Sequence, residues 1–183
     1  MATAQRLNPT LSTFIEKQPL FFVATAAENG RVNMSPKGMH PLKIMAPDRI
    51  VWLNLSGSGN ETAAHIAKVN RMTLMFCAFE GSAMILRCYG TATALHPRDD
   101  KFEALSGLFE PMAGSRQIFD MHIDLVQTSC GTGVPLMAYE GQRGPDELLP
   151  YFADMGEDGL QDYWKRKNAV SLDGLDTGLI APE

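Results

Sequence analysis

The chain comprises 183 residues, 45% of them hydrophobic and 20% charged, with 16 glycines and 11 prolines, a composition that supplies one globular core and excludes disordered, collagenous and coiled-coil architectures. Its formal net charge of −5 is divided unevenly, because residues 146–183 carry nine Asp/Glu against three Lys/Arg while residues 1–145 are close to neutral. No stripe of Lys/Arg is present for a phosphate backbone, and no apolar run reaches the roughly 18–20 residues that span a bilayer, so neither a nucleic-acid nor a membrane partner is expected.

The N-terminus, MATAQRLNPT, lacks a basic region followed by an apolar stretch, which predicts a cytoplasmic protein. Asn8-Pro9-Thr10 predicts a short capped helix with Leu11, Phe14 and Ile15 on one face, placed as a lid. Residues 20–26 (LFFVATA) read as a buried strand, and Glu28-Asn29-Gly30 predicts a tight hairpin turn with a partner strand starting at Arg31. Residues 49–55 (RIVWLNL) and 71–79 (RMTLMFCAF) read as two further strands. Between them a glycine loop, residues 57–62, leads into the short helical stretch AAHIAKVN. Residues 84–95 form a long strand in which Gly90 marks a bulge or a close contact, and His96-Pro97 turns the chain into a helix ending near Phe109. A last strand covers residues 116–127.

At least six strands with few, short helices do not make a regular βαβ series. The predicted fold is mainly β: a mostly antiparallel sheet closed as a β-barrel with peripheral helices. After Gly141 two helical stretches, near 146–155 and 159–167, precede a Gly/Asp-rich tail. Residues 1–145 are therefore read as the barrel and 146–183 as a helical extension packed on it.

Two segments carry the chemistry. In Ser56-Gly57-Ser58-Gly59-Asn60-Glu61-Thr62, backbone N–H groups of a glycine loop stand at a helix N-terminus, where unpaired amides and the helix dipole favour an anion. Asn33-Met34-Ser35-Pro36-Lys37-Gly38 offers Lys37 as a point charge. The loop lacks the lysine of a P-loop and the acidic residue of a dinucleotide fold, and an ordinary helix cap by Ser58 or Asn60 is the plainer reading of it. The histidines, His40, His65, His96 and His122, have no i,i+4 pairing, so packing or capping is their default and no metal site is predicted. Cys77, Cys88 and Cys130 are odd in number and lack a CxxC pair, which argues against a disulfide framework. Cys130 sits in a Ser-Cys-Gly-Thr-Gly loop and has no assignable base. Trp52 reads as core, and Trp164 before Lys165, Arg166 and Lys167 as a helix with a solvated basic face or, alternatively, a cover for a ligand.

The succession FFVATAAENGRVNMSPKG, RIVWLNLSGSGNETAAHI, NRMTLMFCAFEG and LRCYGTA resembles, in order and spacing, the pyridoxamine 5′-phosphate oxidase-like, FMN-binding split-barrel proteins over roughly residues 10–130. The branch that looks most similar also carries a QTSCGxGVP-like segment, here residues 127–135. The resemblance implies a homodimer with FMN at the subunit interface. Its phosphate would be held around Ser35 and Lys37 and by the loop through Ser56, Ser58, Asn60 and Thr62, with Pro36, Asn54, Ser129, Cys130 and Gly131 toward the ring and Met34 and Met39 close by. The oxidases of the family place Arg-Lys after the loop serine, whereas this chain has Asn60-Glu61-Thr62. One phosphate cation is thus missing, Arg31, Arg71 or Arg87 is expected to replace it, and Glu61 is expected to point away.

A flavin-dependent oxidoreductase acting on a small-molecule substrate or electron donor is the implied activity, and it needs no conspicuous catalytic constellation because the flavin carries the hydride. The C-terminal part does not reproduce the family's Arg/His pattern for pyridoxamine phosphate, which argues against that substrate. A non-catalytic protein holding flavin, deazaflavin or haem is the alternative, since one barrel serves several ligands. A cysteine hydrolase built on Cys130 ranks last.

Overall fold

The computed structural model describes residues 2–181. In chain order the elements are β1 (Ala2–Ala4), α1 (Pro9–Lys17), β2 (Phe21–Thr25), β3 (Asn33–Lys37), β4 (Leu42–Ala46), β5 (Arg49–Leu55), α2 (Glu61–Lys68), β6 (Met72–Cys77), β7 (Ile85–Leu95), α3 (Asp100–Ser106), β8 (Ser115–Ser129) and α4 (Gly144–Lys167). All eight strands join one antiparallel sheet in the order β3-β2-β6-β7-β8-β5-β4, with β1 added to β8. The mainly β, antiparallel split barrel expected from the sequence is what forms. Its split lies between β3 and β4, the two ends of the strand path. Pro36 removes an N–H donor from edge strand β3, and Met39 and His40, in the joining segment, adopt left-handed φ of 67° and 53°. The chain therefore turns away rather than continuing the ladder.

Alternation decides what each strand buries. Phe21 and Val23 of β2, Leu74 and Phe76 of β6, and Phe119 and Met121 of β8 point into one core around Trp52. The Trp52 and Phe119 rings stack at 4.9 Å, and Phe21 meets Trp52 edge-on at 6.1 Å. Trp52 is thus core, as its strand position implied. The opposite faces of β5 and β8 present Val51, Leu53 and Ile118 to Phe102 and Leu105 of α3, which is why RIVWLNL reads as an unbroken apolar run. Asn8 caps α1, accepting from Leu11 N at 2.9 Å, and Leu11, Phe14 and Ile15 seat that helix on the core. Gly90 marks the register shift of β7 against β8: a Cβ there would stand 1.9 Å from the His122 carbonyl oxygen.

One local expectation needs correcting. The β2–β3 hairpin is closed by residues 26–32 rather than by a two-residue turn, because the Arg31 N–H goes to Asp173 Oδ2 at 2.7 Å instead of to the ladder. Strand β4, enclosed by Pro41 and Pro47, adds to the expected strands, and so does β1. Trp164 is buried at 5% exposure, while Lys165, Arg166 and Lys167 beside it are solvated as expected. The two helical stretches after Gly141 are present as α4, broken at Gly156 where φ is 66° and ψ 179°. No helix among the described residues is long and apolar enough to cross a membrane.

Candidate functional site

At the split, β3, the end of β5, the glycine loop, the start of α2 and Leu172 enclose a cavity of about 700 Å3. Strand alternation turns Asn33, Ser35 and Lys37 inward and leaves Met34 and Pro36 more exposed. Of the residues singled out in the sequence, Ser35, Pro36, Lys37, Asn54, Ser56, Ser58, Asn60 and Thr62 line this cavity together, with Met34 and Met39. Arg87, Ser129, Cys130 and Gly131 lie elsewhere, at the paired ends of β7 and β8. There Arg87 Nη1 donates to Ser129 Oγ at 3.2 Å, Cys130 is exposed, and Gly131 packs on the backbone of Met84.

The decisive charge is one that the sequence reading missed. Arg116, 3% exposed, lines the cavity and donates from Nη1 to Gly59 O at 3.0 Å, while its Nε has no partner. β5 pairs Asn54 with Gln117 and Leu55 with Ser115, so Arg116 is the extra residue of a bulge, which aims its side chain at the glycine loop. Only the strand register exposes this placement; the sequence shows merely an arginine at a strand start. Burial pulls the Arg116 guanidinium down to about 10. Half-buried Lys37 is pulled down to about 8, first by loss of hydration and then by the Arg116 charge. Neither cation forms an ion pair among the described residues. Two mutually repelling, desolvated cations at one cavity favour an anion there.

The expected compensating arginines are otherwise engaged. Arg31 lines the cavity but pairs with Asp173, Arg71 lines a separate small cavity, and Arg87 is bound to Ser129. Glu61, expected to point away, instead lines the cavity, where its Oε1 accepts the Leu172 N–H at 3.0 Å.

The capping expectation fails. Asn60 occupies the N-cap of α2, yet its amide donates to Asn168 O at 3.4 Å and no side chain caps the helix, so the loop amides keep their affinity for an anion. The Ser56 hydroxyl is fully used, donating to Gly114 O and accepting from Trp164 Nε1, each at 2.7 Å. Ser56 therefore holds the loop's shape and offers the cavity its wall. A polar chain runs inward from the cavity lining: Ser35 Oγ donates to Asn33 Oδ1 at 2.9 Å, Asn33 Nδ2 donates to Thr62 Oγ1 at 3.1 Å, and Thr25 Oγ1, behind the lining, lies 3.1 Å from His65 Nδ1.

Among the described residues no group of three His, Cys, Asp or Glu side chains could hold a metal ion. Cys77 and Cys88 are free and buried, and burial pushes the Cys88 thiol up to about 12, so it is inert at neutral pH.

The profile of the pyridoxamine 5′-phosphate oxidase family matches residues 7–130. The pyridoxamine 5′-phosphate oxidase family protein ustO of Aspergillus flavus is 30% identical over 187 aligned positions, covering 93% of this chain and 75% of that protein. Among solved structures, a pyridoxamine 5′-phosphate oxidase-like protein of Lactobacillus delbrueckii superposes with a TM-score of 0.55 at 17% identity, over 69% of this chain and 99% of that one. HupZ from Group A Streptococcus gives 0.53 at 16% identity, over 72% and 99%. These two likenesses are of fold.

Proposed function

Because the chain belongs to the pyridoxamine 5′-phosphate oxidase family, we propose that it binds FMN at the Lys37–Arg116 cavity and acts as a flavin-dependent oxidoreductase on a small molecule. The observation that carries this reading is the pair of desolvated cations, neither of them ion-paired among the described residues, at the cavity of an uncapped glycine loop. A phosphate monoester fits there: it supplies the charge that both cations lack and acceptors for Arg116 Nε and the loop amides. The cavity volume lies within the usual range for a cofactor site.

When bound, FMN supplies the hydride chemistry. The chain's own residues bind and orient. Lys37 and Arg116 hold the anionic end, the loop from Ser56 to Asn60 presents backbone N–H groups, and the Glu61 carboxylate, which also lines the cavity, has one oxygen engaged by the Leu172 N–H. Pro36, Met34 and Met39 add apolar lining to the cavity.

A homodimer completes this proposal. Val32 and Met34, at 74% and 63% exposure, border the cavity on its open side, where a second copy would bury them and exclude water. In such a dimer Arg87 and the Ser129–Gly131 turn, which do not reach the cavity of their own chain, become available to the partner's ring. The absorption spectrum of the purified protein is the direct test: flavin bands are expected, and a haem Soret band or a colourless protein would overturn the cofactor assignment. Anaerobic mixing with NADH and NADPH then separates an enzyme, whose flavin bleaches, from a protein that only holds the cofactor.

A further inference from the structure

We propose that His65 is a ligand-binding residue of this cavity, its Nε2–H donating to an oxygen of a bound phosphate group where α2 begins. The proposal deepens the reading of the cavity as an anion site and rests on it.

His65 lies on α2, 1% exposed, bordering the anion cavity and none of the other described cavities. Its Nδ1 stands 3.1 Å from Thr25 Oγ1, which also accepts from Asn33 Nδ2 at 3.5 Å. No other acceptor for the Thr25 hydroxyl proton is found among the described residues, so directing it at Nδ1 satisfies both groups, and the neutral ring then carries its own proton on Nε2. That Nε2 is buried and has no partner. The nearby carboxylate that senses the ring is Asp173, and both its oxygens are taken by Arg31, one by the backbone N–H at 2.7 Å and the other by Nη1.

A buried donor with no acceptor is disfavoured, and native proteins rarely keep one without a use. Here the surrounding Thr25, Asn33, Thr62 and Ser35 are hydrogen-bonded among themselves, while His65, which lines the cavity, keeps its Nε2 unpartnered. Arg116 Nε is a second unpartnered donor at the same cavity. A phosphate oxygen accepts from both the imidazole and the backbone amides at the α2 N-terminus, a combination that a purely structural histidine has no reason to prepare.

Nitrogen-15 NMR of histidine-labelled protein, titrated with inorganic phosphate, tests this. The Nε2–H tautomer is expected in the free protein, with its Nε2 and ring-proton signals moving saturably as phosphate is added. His65→Leu should weaken phosphate binding about tenfold; because it also removes the acceptor of the Thr25 hydroxyl, binding is compared at a temperature where both proteins are fully folded. His65→Gln, which retains a side-chain N–H donor, should restore most of the affinity. Thr25→Val, which leaves the ring in place, should shift the tautomer balance toward Nδ1–H and weaken phosphate. Absence of phosphate binding, His65 signals that stay fixed at saturation, or wild-type phosphate affinity in His65→Leu would overturn the proposal. The two readings fail separately: phosphate binding that moves His65 in a protein without affinity for FMN removes the cofactor assignment alone, whereas retained FMN with unmoved His65 signals removes His65 alone.

Discussion

The indole N–H of Trp164 donates to Ser56 Oγ at 2.7 Å, tying the end of α4 to the first residue of the glycine loop across 108 positions of sequence. Asn168 continues the attachment, donating from Nδ2 to Gly57 O at 2.8 Å while its carbonyl accepts from Asn60 and from Thr177 Oγ1 at 2.7 Å. The acidic C-terminal part, distinguished at first only by its charge, is therefore a strap behind the loop that shapes the cavity.

Trp164→Phe keeps most of the buried surface and removes the bond to Ser56, so it should cost about 1–2 kcal/mol. Chemical denaturation measures this cost. FMN titration of the same variant should show weaker binding, because the loop loses its outer support.

Asn168 is fully buried, and Asn168→Ala leaves the Gly57 carbonyl without its donor. A loss of about 1–3 kcal/mol in urea unfolding is expected, together with faster hydrogen exchange of the residue 57–60 amides. Unchanged exchange there would separate the strap from the loop.

Lys37 has its pKa lowered from 10.5 to about 8, so between those values the native state binds fewer protons than the unfolded chain. Stability of the unliganded protein should consequently rise with pH across that window, and Lys37→Met should flatten the rise while stabilising the protein near pH 7 by about 1–3 kcal/mol. A bound anion favours the protonated amine. FMN affinity should therefore fall as pH rises past about 8, accompanied by proton uptake measurable by calorimetry in buffers of different ionisation enthalpy.

Gly90→Ala places a methyl group 1.9 Å from the His122 carbonyl oxygen, a backbone atom that cannot move without opening the β7–β8 ladder. The variant should lose at least about 3 kcal/mol or fail to fold, as circular dichroism on heating would show.

Much of the fold is legible in local pattern. The Asn8 cap, the apolar run of β5, the glycine at the β7 bulge and the helix pair divided at Gly156 each announce themselves within a few residues. The β2–β3 loop misleads because its Asn-Gly signal competes with a partner far along the chain, Asp173. Strand β4 is short and half-buried, and its neighbouring prolines conceal it. At the site, the β3 and loop residues share a cavity because both segments flank the split, a consequence of sheet order that their motifs accompany. Arg116 depends on a bulge and Trp164 on a contact 108 residues distant, and neither leaves a local trace.

In the proposed site Arg116, with Lys37, holds the phosphate of FMN. Parallel titrations of wild-type protein and Arg116→Ala with FMN and with riboflavin, which lacks the phosphate, test it most directly. Wild-type protein should prefer FMN by at least about a hundredfold, on the order of 3 kcal/mol, and Arg116→Ala should lose most of that preference while its affinity for riboflavin changes little. Equal affinities for FMN and riboflavin in the wild-type protein, or an undiminished preference in Arg116→Ala, would contradict it.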